Sequence, residues 1–209
     1  MLQTKKELYM LEEYFALEDQ SEEKHDYFYG ELFAMAGGTP NHNRITVDLA
    51  GVLNAALREK GCEAFTSDLR VQLDKYYHYA HPDVVVVCGA LEFAKGRNDT
   101  VTNPLLIAEV LSDATRDYDR GTKFHAYRTI ETLQDYLLIE QKNVQIEHFS
   151  REDDGSWRLR EYNSLEDALY IQTLQCRLFL KDVYRRVTPL PAFCLVRPEE
   201  SDRGESDNA

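Results

Sequence analysis

Two carboxylates set in apolar runs are the residues of this chain best placed to do chemistry. Asp83 opens the run Pro82-Asp83-Val84-Val85-Val86-Val87, and Glu109 sits inside Pro104-Leu105-Leu106-Ile107-Ala108-Glu109-Val110-Leu111-Ser112. An ionised carboxylate among Leu, Ile, Ala and Val is costly to bury unless it is paired or bound to a cation, so Glu109 demands a partner. Carried on neighbouring strands, two such acids can hold one or two hard divalent ions through oxygen. Two plainer arrangements compete with that chemistry. Asp83 could cap a core strand, and Glu109 could form a structural ion pair with Arg44, Arg70 or Lys123.

The elements that must position the acids follow from periodicity. Val84 to Val87 is short and purely β-branched, which predicts a central strand apolar on both faces. Leu105 to Leu111 predicts a second such strand. Upstream, Leu8, Leu11 and Phe15 predict an amphipathic helix over 6–18, and Tyr27 to Gly38 a hairpin turning at Gly30. From His42 to Lys60, the stripe Ile45, Leu49, Val52, Leu53, Ala56 and Leu57, stopped by Gly61, predicts a long helix. Cys62 to Asp74 predicts one bent or interrupted strand, Lys75 to Tyr79 a loop or hairpin tip, and Leu91 to Asn103 a polar connection. Ser112 to Thr115 offers caps for a helix ending near Thr129. Three strands of an antiparallel meander follow at 135–140, 143–150 and 157–162, then a turn at 164–167 and a short helix over 179–187. The expected domain is 1–187, with an extension at 188–209 whose acidic end suits a disordered tail.

Composition narrows the function classes. No stretch approaches the roughly 20 apolar residues of a membrane span, and Met1 to Glu7 has no apolar signal core, so a cytoplasmic protein is expected. The net charge of −13 argues against coating nucleic acid by bulk electrostatics, because phosphate affinity comes mainly from Lys and Arg. Cys62, Cys88, Cys176 and Cys194 lack the close spacing of zinc or redox motifs and are expected as reduced thiols.

Several segments, in order, carry a resemblance: Gly30-Glu31-Leu32, His42 opening the long helix, Ser67-Asp68-Leu69-Arg70-Val71, Pro82-Asp83 with its four valines, Glu109-Val110-Leu111-Ser112, and Tyr118-Asp119 with Lys123 and Tyr127. Together they resemble the PD-(D/E)XK nuclease superfamily and, within it, the Uma-two family of restriction-endonuclease-like proteins. The resemblance implies an α/β fold with a restriction-endonuclease-like core: a mixed central sheet flanked by helices, with an amino-terminal helix and hairpin. It implies a Mg²⁺-dependent endonuclease acting on DNA, with Mn²⁺ as substitute, working as a homodimer through local, metal-assisted contacts. Asp83, Glu109 and the backbone carbonyl of Val110 would hold the ion.

One position departs from that pattern. Two residues after Glu109, where the superfamily carries lysine, stands Leu111. Alternate residues of a strand share a face, so Leu111 occupies the place where a lysine would meet the water. Lys123 lies four residues from both Asp119 and Tyr127 on one helical face and is expected to replace it. Glu31 is a third candidate acid from the hairpin, and His42, Asp68 and Tyr127 are candidate substrate or phosphate contacts. Tyr76, Tyr77, His78, Tyr79 and His81 could stack on bases or pack on their own sheet. Lys5, Lys6, Arg116, Arg120, Lys123 and Arg128 could form a modest basic edge. The gap at 111 also supports a second function, a binding or regulatory protein that keeps the acidic site without turnover.

Overall fold

The protein is described by a computed structural model over residues 8–35, 38–73 and 77–188. Lys5, Lys6, Gly37, Lys75, Tyr76 and the acidic carboxy-terminal extension lie outside the described residues. Two β-sheets meet at the acids. The larger contains six strands in the order β11-β10-β9-β8-β6-β3: β3 (Cys62–Thr66), β6 (Val84–Cys88), β8 (Leu106–Leu111), β9 (Asp135–Glu140), β10 (Ile146–Arg151) and β11 (Trp157–Tyr162). Only the β8–β9 pairing in it is parallel, so the sheet is mixed.

The valine run shows why this sheet is buried on both sides. Val84 and Val86 pack with Ala108 and Val110 against α2 (Pro40–Leu57), whose buried stripe includes Ile45, Leu49, Leu53 and Leu57. Val85 and Val87 join Ile107, Leu111, Phe124 and Tyr127 on the other face. Thr39 caps α2 by accepting the His42 backbone N–H, and Pro40 takes the first helical turn, where its missing N–H costs nothing.

The second sheet has five strands in the order β2-β1-β5-β4-β7: β1 (His25–Phe28), β2 (Glu31–Ala34), β4 (Arg70–Gln72), β5 (His78–Ala80) and β7 (Thr100–Val101). The hairpin turns at Tyr29 and Gly30, both at positive φ. α1 (Leu11–Glu18) packs on it through Tyr14, which stacks on Tyr27 at 4.9 Å.

Five local expectations need correction. Cys62 to Asp74 divides between β3 and β4, which belong to different sheets, so the interruption is a change of sheet. His78–Ala80 is a strand, bonded on both sides, where a loop tip was expected. The connection 91–103 contains β7, and β12 (Ala168–Ile171) with β13 (Cys176–Phe179) forms a hairpin before a terminal helix, α5, of only Leu180–Val183. Cys62 and Cys88 are not reduced thiols but a disulfide, because the antiparallel register of β3 with β6 makes them direct partners with Cα atoms 3.9 Å apart.

Candidate active site

The register that aligns β6 with β8 also brings the acids together. Val84 faces Ala108 in the antiparallel ladder, and one step further Asp83 faces Glu109. There the side chains replace the ladder. Asp83 Oδ2 accepts the Val110 N–H at 2.7 Å, and Glu109 Oε2 accepts the Asp83 N–H at 3.3 Å. Both acids are buried and line a cavity of about 430 Å³. Its remaining walls come from β1 and β2, the start of α2, and the helical segment after β8.

That segment is not a regular helix. α3 (Arg116–Tyr118) passes into a π-helical turn (Asp119–Lys123) and then α4 (Phe124–Tyr127). A π turn changes which residues share a face, and such turns often mark functional sites. Here Lys123 Nζ lies 3.0 Å from Glu109 Oε1, 3.2 Å from Asp26 Oδ2 and 3.6 Å from Asp119 Oδ1. Tyr127 Oη donates to Glu109 Oε1 at 2.8 Å.

The charges do not balance. Asp26, Asp83, Glu109 and Asp119 are all buried; among the described residues three of them, Asp26, Glu109 and Asp119, share the Lys123 ammonium, and Asp83 has His42 beside it. Burial pushes the Glu109 carboxyl up to about 8, with Lys123 opposing and the Asp119 and Asp83 charges adding. Asp119 is raised for the same first reason. For Asp26, burial also raises the pKa, but Lys123 and its hydrogen bonds from His81 outweigh it and the net shift is downward. Burial disfavours the Lys123 ammonium, yet Asp26, Glu109 and Asp119 more than reverse this and hold it well above the ordinary lysine value.

His42 stands at the rim with Nε2 3.2 Å from Asp83 Oδ2. Burial lowers its pKa, but the bond to Asp83, the Asp83 and Asp119 charges and a bond to the Val110 backbone more than reverse this, so the net shift is upward. Gly38 makes room for the ring, since a Cβ there would lie 2.8 Å from His42 Nδ1. Gly38→Ala is therefore expected to turn the imidazole away from Asp83 and lower its pKa in an NMR titration. An unchanged pKa would show that Asp83 does not hold the ring. Behind the cavity, Glu18, Arg70 and His81 continue the polar cluster: Arg70 Nη2 donates to Glu18 at 3.2 Å, Arg70 Nε to His81 Nε2 at 3.2 Å, and the His81 N–H to Asp26 Oδ1 at 2.9 Å.

Of the residues singled out from sequence, the structure brings Asp83, Glu109, Val110, His42, Lys123 and Tyr127 together. Glu31 pairs with Phe28 beside the hairpin turn and does not line the cavity, and the acid that β1 delivers is Asp26. Asp68 lies exposed in the turn between β3 and β4 and pairs with Lys24. Of the basic edge, Arg116 pairs with Glu140, Arg120 with Glu147 and Glu140, and Lys123 with the buried acids, Arg128 lies over the Phe124 ring, and Lys5 and Lys6 fall outside the described residues. Leu111 is fully buried in the apolar cluster with Phe124 and Tyr127. Sequence reasoning missed Asp26, whose one signal was an aspartate inside a strand, where that residue is disfavoured.

The donor set suits a hard cation. Two carboxylates and a backbone carbonyl offer oxygen only, and a divalent ion would favour the ionised form of the buried carboxyls that burial now raises. Among the described residues no three His, Cys, Asp or Glu side chains are grouped to hold one ion. Mg²⁺ fits this arrangement, since it commonly takes one or two carboxylates and completes its shell with water and substrate phosphate.

Comparison with known proteins agrees with this architecture. A crystal structure of a "putative nuclease belonging to DUF820" from Anabaena variabilis superposes with a TM-score of 0.70 at 16% identity, covering 84% of this chain and 97% of that one. Two uncharacterized proteins of Synechocystis sp. are similar in sequence. The first, slr1290, is 37% identical over 83% of this chain and 90% of its own length. The second, sll1609, is 40% identical over 71% and 84%. The profile of Uma2, described as "Putative restriction endonuclease", matches residues 11–181. With the profile spanning the amino-terminal helix, both acids and the carboxy-terminal hairpin, the chain belongs to the Uma2 family.

Proposed function

We propose that this protein is a Mg²⁺-dependent endonuclease hydrolysing phosphodiester bonds in DNA, with Mn²⁺ as a substitute. The observation that carries the reading is the meeting of Asp83, Glu109 and Lys123 at one cavity, with Lys123 Nζ 3.0 Å from Glu109 Oε1. The description of the Uma2 family and that of the Anabaena protein support the same reaction class.

Asp83, Glu109 and the Val110 carbonyl would hold the ion, which when bound offsets phosphoryl charge and makes a coordinated water more acidic. The rest falls to the chain. Lys123 is fixed as an ammonium by its carboxylates, so it serves as a donor that orients the attacking water rather than as a base that removes its proton. Tyr127 pins the same Glu109 oxygen that Lys123 holds. His42, drawn toward imidazolium by Asp83, adds positive charge at the rim where a phosphate would arrive.

The test is supercoiled plasmid incubated with Mg²⁺ or Mn²⁺. Nicked or linear product is expected from the wild type and none from Asp83→Ala or Glu109→Ala. Equal product from all three would mark a contaminant and remove the support for this reading. One observation favours the second function, a binding or regulatory protein without turnover. The Glu109 oxygens are already engaged by Lys123, Tyr127 and the Asp83 N–H. Calorimetric titration with Mn²⁺ combined with absent cleavage would select it.

A further inference from the structure

The cavity that holds the acids also has an apolar wall. Phe33, Ala34 and Met35 contribute to it from β2 and its end, Ala114 from the turn before α3 and Tyr118 from α3. The Phe33 and Tyr118 rings stack with centroids 5.5 Å apart and an interplanar angle of 23°, and Phe33 is 37% exposed. Lys123 Nζ lies 5.9 Å from the centre of the Tyr118 ring, so the aromatic wall and the acidic cluster adjoin.

We infer that this wall receives a nucleobase that is out of its duplex, making the substrate of the site a single strand or an unpaired nucleotide within a duplex. This rests on the nuclease reading of the acids. Three observations carry it. A volume of about 430 Å³ is in the range of pockets that enclose a small organic molecule, well beyond an ion and a phosphate oxygen. A paired backbone offers sugar and phosphate to the acids, whereas an unpaired base also reaches the aromatic wall and stacks there. Finally, the two arginines of the helical segment after β8 are engaged, Arg116 by Glu140 and Arg120 by Glu147, in a chain of net charge −13. Affinity for a paired backbone by counterion release is then small, and stacking is the contact the site has to offer.

The experiment has a binding arm and a cleavage arm. Short DNA carrying 2-aminopurine is presented in Ca²⁺ as a single strand, as a duplex with the 2-aminopurine unpaired, and as a fully paired duplex. Fluorescence quenching is expected with the first two and not the third. Phe33→Leu, which keeps the apolar volume, and Tyr118→Ala should each weaken binding about tenfold, with Tyr118→Phe close to wild type. Equal affinity for the paired duplex, or no effect of Phe33→Leu, would overturn the base site. In the cleavage arm, Mg²⁺ replaces Ca²⁺. Selective binding without cleavage of any probe would retain the base site and sink the nuclease reading. Cleavage of the paired duplex as fast as the single strand, undiminished by Phe33→Leu, would do the opposite.

Discussion

Replacing Lys123 with methionine is expected to cost about 3–5 kcal/mol of folding stability at neutral pH, the usual cost of removing one partner from a buried ion pair. Lys123 is 7% exposed and within 3.6 Å of three carboxylates, so the methionine variant leaves Asp26, Glu109 and Asp119 with no buried ammonium. Chemical denaturation at several pH values checks this, and the sign with pH is specific. Glu109 is raised to about 8 in the native fold, above the roughly 4.3 of an unfolded glutamate. A group raised on folding contributes stability that is full below its unfolded pKa and lost as pH rises through its folded one. Removal of the ammonium raises the carboxyls further. The variant should therefore approach wild-type stability near pH 5 and diverge from it toward pH 8. A loss independent of pH would mean that the lysine contributes packing alone.

Asp83→Asn should leave the fold standing and remove the activity. The amide oxygen can still accept the Val110 N–H that Asp83 Oδ2 now takes at 2.7 Å, so the melting temperature should stay near wild type. The charge that would hold a cation and raise His42 is gone. A loss of at least about 10²–10³-fold in cleavage rate is expected, the scale on which a single preorganised electrostatic group acts. The Mn²⁺ binding heat of the wild type should vanish with it. Single-turnover cleavage and calorimetry on one preparation decide the matter. Activity within severalfold of wild type would exclude Asp83 from the machinery.

What could be read from the sequence was what local chemistry dictates. The four valines after Pro82 and the apolar run around Glu109 declared buried strands, because no other element of that length buries both faces. Set against the resemblance, Leu111 implied a lysine from elsewhere and i,i+4 spacing pointed to Lys123, whose Nζ the structure places 3.0 Å from Glu109 Oε1. What stayed hidden was set by partners distant in sequence. Asp26 reaches Lys123 only because β1 pairs with β5, a three-residue strand too short to show alternation. The Cys62–Cys88 bond follows from a register that spacing along the chain does not reveal. The pairing of Arg116 and Arg120 was hidden similarly, since Glu140 and Glu147 meet them from strands that follow in the chain.

The pairing of β1 with β5 also has a kinetic side. Asp26 and Lys123 are separated by nearly half the chain, and contacts of such long range close late and slowly because the loop entropy must be overcome first. The six-stranded sheet carries Glu109, and the neighbouring helical segment carries Lys123 and Asp119, whereas Asp26 arrives only with the smaller sheet. Arrival of the amino-terminal hairpin is thus the step that gives Lys123 its third carboxylate and encloses the cavity. Refolding followed through Tyr118 and through the central sheet should show the acidic cavity maturing after the core that supports it.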